Sequence, residues 1–385
     1  MTLQILEIFK YYFYLGLTCF GGPIAIIANM RNDLVDDKKW VSAHDFENYF
    51  GYSQIAPGPI AFQVCLYMSY FRAGIMGAVA GGFGLVLPSF LIVLFFSIFY
   101  QNFKDTYYVT SILYGVSPVV ISIILYSGLQ LASRVFNKDY FLYLLFALSI
   151  VLTIFLKFPI MFVILGSGLL SLIFYIIKEK KNDETTTRSG FLLFAVSAKA
   201  ISEFLITARS FIDSKLVELS LLFMKVGALT YGSGFVIVGV LNQEVVNNYG
   251  YITSKEFLDG LAFGQITPGP VVITSTFIGY LTQGLPGAIV CTVSIFLPTF
   301  LAVMILARFI GKISKNFYVR GFIKGANAAA IGAILSTAYL LSGAAVNDYI
   351  TAALALISLF CLYKFKLKSL YLIIIGGILG LILMH

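Results

Sequence analysis

Long stretches of consecutive apolar residues are the feature that most limits what this chain can fold into. Clear examples occupy residues 74–100, 112–133 and 285–307. Each is long enough for an α-helix to cross about 30 Å of hydrocarbon, and none alternates as the strands of a membrane barrel do. Only 11% of the residues are charged, against about 25% in soluble domains. The sequence therefore predicts an all-α polytopic membrane protein in contact with membrane lipid.

The charged residues do not indicate a nucleic-acid partner, although the net charge is +8. The Lys and Arg residues lie between the apolar stretches, as the positive-inside rule predicts, rather than on one basic face. The two histidines are isolated from each other, and no GxxxxGK[ST] sequence is present. We therefore expect neither a His-based metal site nor direct use of ATP, and no cofactor.

The second half of the chain repeats landmarks of the first half in the same order. A shift of 211 residues lays the Pro-Gly-Pro at 57–59 on the Pro-Gly-Pro at 268–270, and each is preceded by Gln three positions earlier. After one deleted residue, Leu-Pro-Ser-Phe at 87–90 matches Leu-Pro-Thr-Phe at 297–300. Landmarks in one order over roughly eighty residues indicate an internal duplication.

The duplication divides the chain into two membrane repeats. We predict a first repeat at 1–177, a cytoplasmic linker at 178–216 and a second repeat at 217–385. The linker begins with a polar, basic stretch. Residues 190–212 then read as an amphipathic helix on the membrane surface, because their apolar run is interrupted by charges.

The basic loops predict that the two repeats have opposite orientations. With the linker in the cytoplasm, a full crossing by residues 257–284 would leave the basic cluster at 308–324 outside the cell. The conflict disappears if 257–284, and likewise 46–71, enter and return as re-entrant hairpins broken at Pro-Gly-Pro. We therefore predict two inverted repeats with about ten spans of ordinary length, two hairpins, and both termini outside.

The helix breaks are the predicted functional site. Inverted repeats with interrupted helices are typical of secondary transporters, which bind substrate where the breaks meet. Proline disfavours helix before it, while Gly58 and Gly269 permit the turn. A helix that restarts after such a break directs free N–H groups at the gap, which suits an anion. A second pair of breaks lies at Gly21-Gly22-Pro23 and at Gly232-Ser233-Gly234, and Tyr231, directly before the latter, is also a candidate site residue. The alternative is that these residues only kink or pack spanning helices.

Polar residues beside the breaks are candidate ligands for an anion. Gln54 and Gln265 occupy equivalent positions, and their amides are able to donate hydrogen bonds to an oxyanion without a fixed charge. Gln63 and Thr267 lie close to the same breaks. The alternative for all four is hydrogen bonding between helices, which such residues often provide in membranes.

Lys225 is a cation within an apolar stretch, where a charge is costly unless it faces a cavity or a partner. We predict an anion-binding or charge-balancing role. The alternatives are a side chain that reaches the interface, or a pair with Glu218. The equivalent residue of the first half is Tyr14, so the halves are not chemically identical. Glu244 is a candidate for coupling transport to protons.

Both halves carry motifs of one known family. The first half has Phe-Gly-Gly-Pro at 20–23, then Trp40, Phe46 and Pro-Gly-Pro followed by Gln63. The second half has Lys-Val-Gly-Ala at 225–228, Tyr-Gly-Ser-Gly at 231–234 and Gly-Gln-Ile-Thr-Pro-Gly-Pro at 264–270. Together they resemble the long, fused form of the chromate ion transporter family. Two positions depart from the family pattern: Ile26 stands where many members have His, and Tyr231 where Phe is usual.

The resemblance implies chromate efflux across the plasma membrane by two oppositely oriented halves, with sulfate as a similar oxyanion. An inside-negative potential favours outward movement of an anion by about 2.3 kcal/mol per charge per 100 mV, and proton coupling is the other source of energy. The alternatives are an anion channel or a transporter of another small anion. An intramembrane enzyme is disfavoured because clustered catalytic groups are scarce. A homodimer is kept as a candidate assembly.

Overall fold

Helices form all the regular structure of the described residues. The computed structural model describes residues 2–20, 22–53, 58–136, 139–179, 215–230, 234–307 and 316–384. The helices of the first half are α1 Thr2–Thr18, α2 Gly22–Arg31, α3 Ala43–Ser53, α4 Ile60–Phe103, α5 Tyr107–Val135, α6 Tyr140–Ile154 and α7 Ile160–Glu179. Those of the second half are α8 Lys215–Ala228, α9 Val236–Leu241, α10 Ser254–Ile266, α11 Thr274–Leu306, α12 Phe317–Ala345, α13 Tyr349–Phe360 and α14 Ser369–Leu383.

The helices α1 to α7 recur in order as α8 to α14. A π-helical stretch follows α2 at Asn32–Asp37 and α9 at Asn242–Asn248. Helix α4 bends at Gly74 (φ 64°, ψ −156°), and α11 bends at the equivalent Gly284 (φ 60°, ψ −150°). The similarity seen in the sequence therefore extends to the backbone of the two halves.

Five helices are long and apolar enough to cross a membrane among the described residues: α4, α5, α7, α11 with the turn before it, and α12. Three shorter apolar helices complete the halves at Tyr140–Ile154, Tyr349–Phe365 and Ser369–Leu383. A helix of 15 residues is only about 22 Å long, less than the hydrocarbon thickness. The structure thus has the helices of a polytopic membrane protein, while the number of spans and the opposite orientation stay predictions.

The predicted hairpin segments coincide with pairs of short helical pieces. In the first half, α3 and the part of α4 before its bend flank the break; in the second half, α10 and the corresponding part of α11 do so. Helix α10 begins at a capping box, in which Thr253 and Glu256 bond each other's backbone N–H groups. It ends one residue before Thr267, next to Pro268, which disfavours a helical conformation in the residue before it. The predicted surface helix at 190–212 lies outside the described residues.

The two halves interlock through their last helices. Helices α6 and α7 of the first half pack on α12 of the second, and α13 and α14 of the second half pack on α5 of the first. Ser171 donates to the carbonyl of Gly321 at 2.8 Å, and Ser122 to that of Ala355 at 2.6 Å. Because each half covers a central helix of the other, the two halves share one core.

Candidate functional site

The Pro-Gly-Pro break of each half is hydrogen-bonded to the break that follows the first helix of the other half. The N–H of Gly58 donates to the carbonyl of Thr230 at 2.5 Å, and the N–H of Gly269 donates to the carbonyl of Cys19 at 3.3 Å. Cys19 follows α1 and Thr230 follows α8, so the two bonds are equivalent under exchange of the halves. Such reciprocal contacts are typical of a two-fold arrangement. The interrupted helices of both halves therefore meet in one place.

Both central glycines occupy positions that other residues rarely adopt. Gly58 has φ +123° and Gly269 has φ +109°. A Cβ atom on Gly58 would collide with the side chain of Thr299, and one on Gly269 with the hydroxyl of Ser89. Each collision involves a residue of the other half, because Ser89 and Thr299 lie in the repeated Leu-Pro-Ser/Thr-Phe segments. The glycines thus permit both the turn and the close approach of the halves.

The Leu-Pro-Ser/Thr-Phe segments belong to this site, although sequence reasoning treated them only as landmarks of the repeat. The hydroxyl of Ser89 donates to the carbonyl of Pro268 at 2.5 Å. The hydroxyl of Thr299 is buried and has no hydrogen-bond partner among the described residues. A repeated Ser or Thr after a helical proline was the available signal, but only the tertiary structure places it against the other half's break.

Two of the predicted polar ligands support the backbone of the breaks. Gln63 is fully buried, and its Nε2 donates to the carbonyl of Gly58 at 2.9 Å, which holds the turn against the start of α4. The hydroxyl of Thr267 donates to the carbonyls of Phe263 and Gly264 at 3.1 and 3.2 Å, and so closes the last turn of α10. These hydroxyl and amide donors are therefore engaged within the protein in this conformation.

Other donors beside the second-half break are free. Gln265 is half-buried, and its amide makes no hydrogen bond within the described part of the chain. Ser275 lies in the first turn of α11, and its fully buried hydroxyl has no partner among the described residues. A short 3₁₀ turn, Val271–Ile273, leads directly into α11, and the N–H groups of Ile273 and Thr274 are already bonded within this stretch. The N–H groups at its start, on Val271 and Val272, have no partner within the helix. A small anion at the start of this turn would therefore find neutral donors of three kinds.

Several predicted residues fall outside the described part of the chain. Gly22 begins α2 with φ +75°, which agrees with the predicted interruption of the helix at this point. The other predicted residues of the breaks after α1 and α8, together with the glutamine of the first half, are not described: Gly21, Gln54, Tyr231, Gly232 and Ser233.

Lys225 forms an ion pair with Glu244, so two residues with separately predicted roles are in contact. Lys225 lies in the last turn of α8, and its Nζ is 2.6 Å from Oε1 of Glu244, whose side chain is 9% exposed. Asn248 donates to the other carboxylate oxygen at 3.3 Å. The first half has an analogous contact, in which Tyr11 donates to Asp33 at 3.0 Å. In each half, a carboxylate on the π-helical stretch thus binds a side chain of the first helix of that half. The partner is a tyrosine hydroxyl in the first half and a lysine cation in the second half.

Comparisons with known proteins agree with the duplicated architecture. The sequence model of the "Chromate transporter" family matches residues 6–172 and again residues 217–381. The "Probable chromate transport protein" of Synechococcus elongatus is 34% identical over 98% of this chain and 95% of its own length. The "Chromate transport protein" of Cupriavidus metallidurans is 34% identical over 99% of this chain and 94% of its own.

A third relative is an uncharacterized transporter of Methanocaldococcus jannaschii, 33% identical over 98% of this chain and 94% of its own. No solved structure matches the chain. Because the family model matches both halves and the relatives align over nearly the whole length, the protein belongs to the chromate transporter family, in its fused two-domain form.

Proposed function

We propose that this protein is a secondary transporter that exports an oxyanion across the plasma membrane, with chromate as the first candidate and sulfate as its chemical analogue. The observation that carries the proposal is the reciprocal pairing of Gly58 with Thr230 and of Gly269 with Cys19. It brings interrupted helices of both halves together, which is how many secondary transporters build their substrate site. The names of the related proteins favour chromate among the oxyanions.

The anion site of the proposal lies at the second-half break. The free amide of Gln265, the unpartnered hydroxyl of Ser275 and the first N–H groups of the turn Val271–Ile273 that leads into α11 supply its donors. Neutral donors at a helix N-terminus stabilise an anion without a fixed positive charge. A site of this kind binds a tetrahedral dianion and still releases it, since no full ion pair has to be broken.

The Lys225–Glu244 pair has a charge-balancing role in this proposal. A dianion that approaches the end of α8 competes with Glu244 for the ammonium group, because Lys225 has no second acidic partner among the described residues. Movement of the anion and rearrangement of the pair are thereby linked. This keeps the roles predicted for Lys225 and Glu244 but makes them parts of one event.

The energy for export comes from the membrane potential, proton coupling or both. Moving one charge across 100 mV corresponds to about 2.3 kcal/mol, so a dianion leaving a negative interior gains roughly twice that. The repeats at 1–177 and 217–385, in opposite orientations and joined by a cytoplasmic linker, would expose the site alternately to the two faces.

Uptake of radiolabelled chromate into inverted membrane vesicles tests this proposal. In that geometry an exporter loads the vesicle. We expect saturable uptake that sulfate inhibits and that Gln265→Ala and Lys225→Ala strongly reduce, with Gly51→Ala as a control, because its added Cβ atom meets open space. Uptake that rises linearly with concentration would favour an anion channel. Uptake of neither anion would refute oxyanion export.

A further inference from the structure

Asp259, in the middle of α10, is a buried carboxyl group that the anion site does not use. It is 1% exposed, and among the described residues Glu244 is the only other carboxylate side chain in the buried class. The hydroxyl of Tyr100 donates to its Oδ2 at 2.8 Å. Its Oδ1 is buried and has no hydrogen-bond partner in the described part of the chain. This carboxyl group thus has one satisfied and one unsatisfied oxygen.

The charges around Asp259 do not supply the missing partner. Lys104, at the end of α4, is bound to Oε1 of Glu256 at 2.8 Å, one helical turn before Asp259. Lys255 precedes Asp259 by four residues and is exposed to solvent. Asp105, in the connection after α4, adds a further negative charge close to Tyr100. The nearest cations are therefore either already paired or directed at water.

The other elements packed against α10 carry few charges. The π-helical stretch Asn242–Asn248 carries Glu244, which is already paired with Lys225. Helices α11 and α14 contain no Asp, Glu, Lys or Arg. Helix α5 carries only Arg134, about 40 Å along the helix from the end that adjoins Lys104. Helix α12 carries Arg320 and Lys324 in its first turns. The opposite end of α12 leads to the start of α13, which contacts Tyr114 in the first turns of α5. The uncharged end of α12, and not the basic end, therefore lies beside the start of α5.

A proton on Oδ1 of Asp259 removes the cost of burying a charged carboxylate with an unpaired oxygen. An ionised carboxylate buried with one oxygen unpaired is strongly unfavourable, because it loses hydration without gaining a partner. A protonated carboxyl group is neutral and still accepts the Tyr100 hydrogen bond through its other oxygen. The Lys225-bound Glu244, by contrast, has both oxygens satisfied as a carboxylate. Asp259 therefore fits a proton carrier better than Glu244 does.

We propose that Asp259 binds a proton in this conformation and releases it during each transport cycle, and so couples oxyanion export to protons. The proposal rests on the proposed function. Tyr100 belongs to the first half and Asp259 to the second, so a movement of one half against the other separates the pair and admits water to the carboxyl group. Asp259 also lies two helical turns before Thr267, on the helix that ends at the anion site. Proton release and opening of that site are thus linked through one rigid helix.

Infrared spectroscopy of the purified protein tests the protonation directly. At neutral pH, we expect the carbonyl band of a protonated carboxylic acid in the wild-type protein, and loss of this band in Asp259→Asn. The matched variant Asp105→Asn, on an exposed loop of the same face, keeps the band. A spectrum in which Asp259→Asn removes no such band means that Asp259 is ionised, held by water or a metal cation, and overturns the proposal.

Transport in proteoliposomes tests the coupling. With one proton per anion, a pH difference of one unit changes the chromate accumulation ratio about tenfold in the wild-type protein. In Asp259→Asn the ratio becomes the same with and without the pH difference, while exchange of labelled for unlabelled chromate continues. Accumulation that still follows the pH difference in this variant overturns the proposal, as does a wild-type protein that transports chromate without responding to pH.

Tyr100→Phe provides a second readout if Asp259→Asn does not fold. Loss of the hydroxyl removes a hydrogen bond that stabilises the ionised carboxylate, so the pH profile of transport moves to higher pH, whereas a purely structural role would lower the rate without moving the profile. A wild-type protein that neither binds nor transports chromate refutes the proposed function instead, and the infrared band then decides the state of Asp259 separately.

Discussion

Gly58 of the first half donates its main-chain N–H to the carbonyl oxygen of Thr230 of the second half, 2.5 Å away. The bond satisfies a carbonyl just beyond the end of α8, where helix geometry leaves carbonyl groups without partners. Its counterpart, from Gly269 to Cys19, does the same after α1. Each Pro-Gly-Pro break thus closes a helix of the other half through main-chain atoms, which a side-chain substitution does not remove.

Alanine at Gly58 or Gly269 is expected to abolish transport. Each glycine has a positive φ and no room for a Cβ atom, so we expect a loss of about 1–3 kcal/mol in stability, together with displacement of the break. Chromate uptake and thermal unfolding in detergent measure the two effects. Gly51→Ala is the matched control, because its Cβ would meet open space. Wild-type uptake by both site variants would contradict the assignment.

Removing the Ser89 hydroxyl is expected to restore part of the stability of Gly269→Ala. The new methyl group collides with this hydroxyl, while the remaining atoms of Ser89 lie farther away. The double variant Ser89→Ala/Gly269→Ala should therefore unfold at a higher temperature than Gly269→Ala alone. The same Ser89→Ala change combined with Gly58→Ala should not help, because Gly58 contacts Thr299 instead. Equal behaviour of the two double variants would contradict the crossed packing.

Single and double variants of the Lys225–Glu244 pair distinguish a role in stability from a role in transport. Lys225→Met leaves the carboxylate of Glu244 buried without its cation, which costs about 3 kcal/mol, whereas adding Glu244→Gln removes that penalty. We expect the double variant to regain the thermal stability of the wild-type protein and to remain defective in chromate uptake. Recovery of uptake along with stability would show that the pair only supports the fold.

Cross-linking Lys104 to Glu256 is expected to stop transport reversibly. Their ion pair joins the end of α4 to the start of α10 and so bridges the two halves. Cysteines at both positions, in a background without the native cysteines, are joined by a short reducible cross-linker. Uptake should fall after cross-linking and return after reduction, while each single cysteine variant remains active. Unchanged uptake in the cross-linked protein would favour a static channel over alternating access.

The proposed opposite orientation of the halves predicts labelling from opposite sides of the membrane. Asp36 and Asn247 are equivalent exposed residues on the two π-helical stretches. In intact cells, a membrane-impermeant thiol reagent should label Asn247→Cys and leave Asp36→Cys unlabelled, because the loop after α9 is predicted to lie outside. In inverted vesicles the pattern should reverse. Labelling of both positions from the same side would contradict the inverted repeat.

The breaks and the duplication were predictable because their signals are local. Proline and glycine at 57–59 and 268–270 disfavour a continuous helix whatever surrounds them, and in the structure one helix ends before each motif and the next begins after it. The repeat was visible because both halves carry these local signals in the same order. The swapped packing of the last helices was not predictable, because it depends on contacts between distant segments and leaves no periodic pattern in either of them.

The partners of individual polar groups depend on tertiary structure. Lys225 was recognisable as a costly cation, but its pairing with Glu244 rather than Glu218 follows from the π-helical stretch that turns Glu244 toward α8. Asp259 resembles an ordinary acidic residue in the first half of a helix. Its burial follows from the packing of other helices on α10, among them α4 of the other half, which supplies Tyr100 as its hydrogen-bond partner.

Binding of radiolabelled chromate to the purified protein tests the central claim most directly, namely that the second-half break forms the anion site. The account predicts saturable binding that sulfate displaces, that Gln265→Ala and Ser275→Ala weaken, and that Gly51→Ala leaves unchanged. Binding of wild-type strength in both site variants, with each shown to be folded, would contradict it and place the anion elsewhere in the protein.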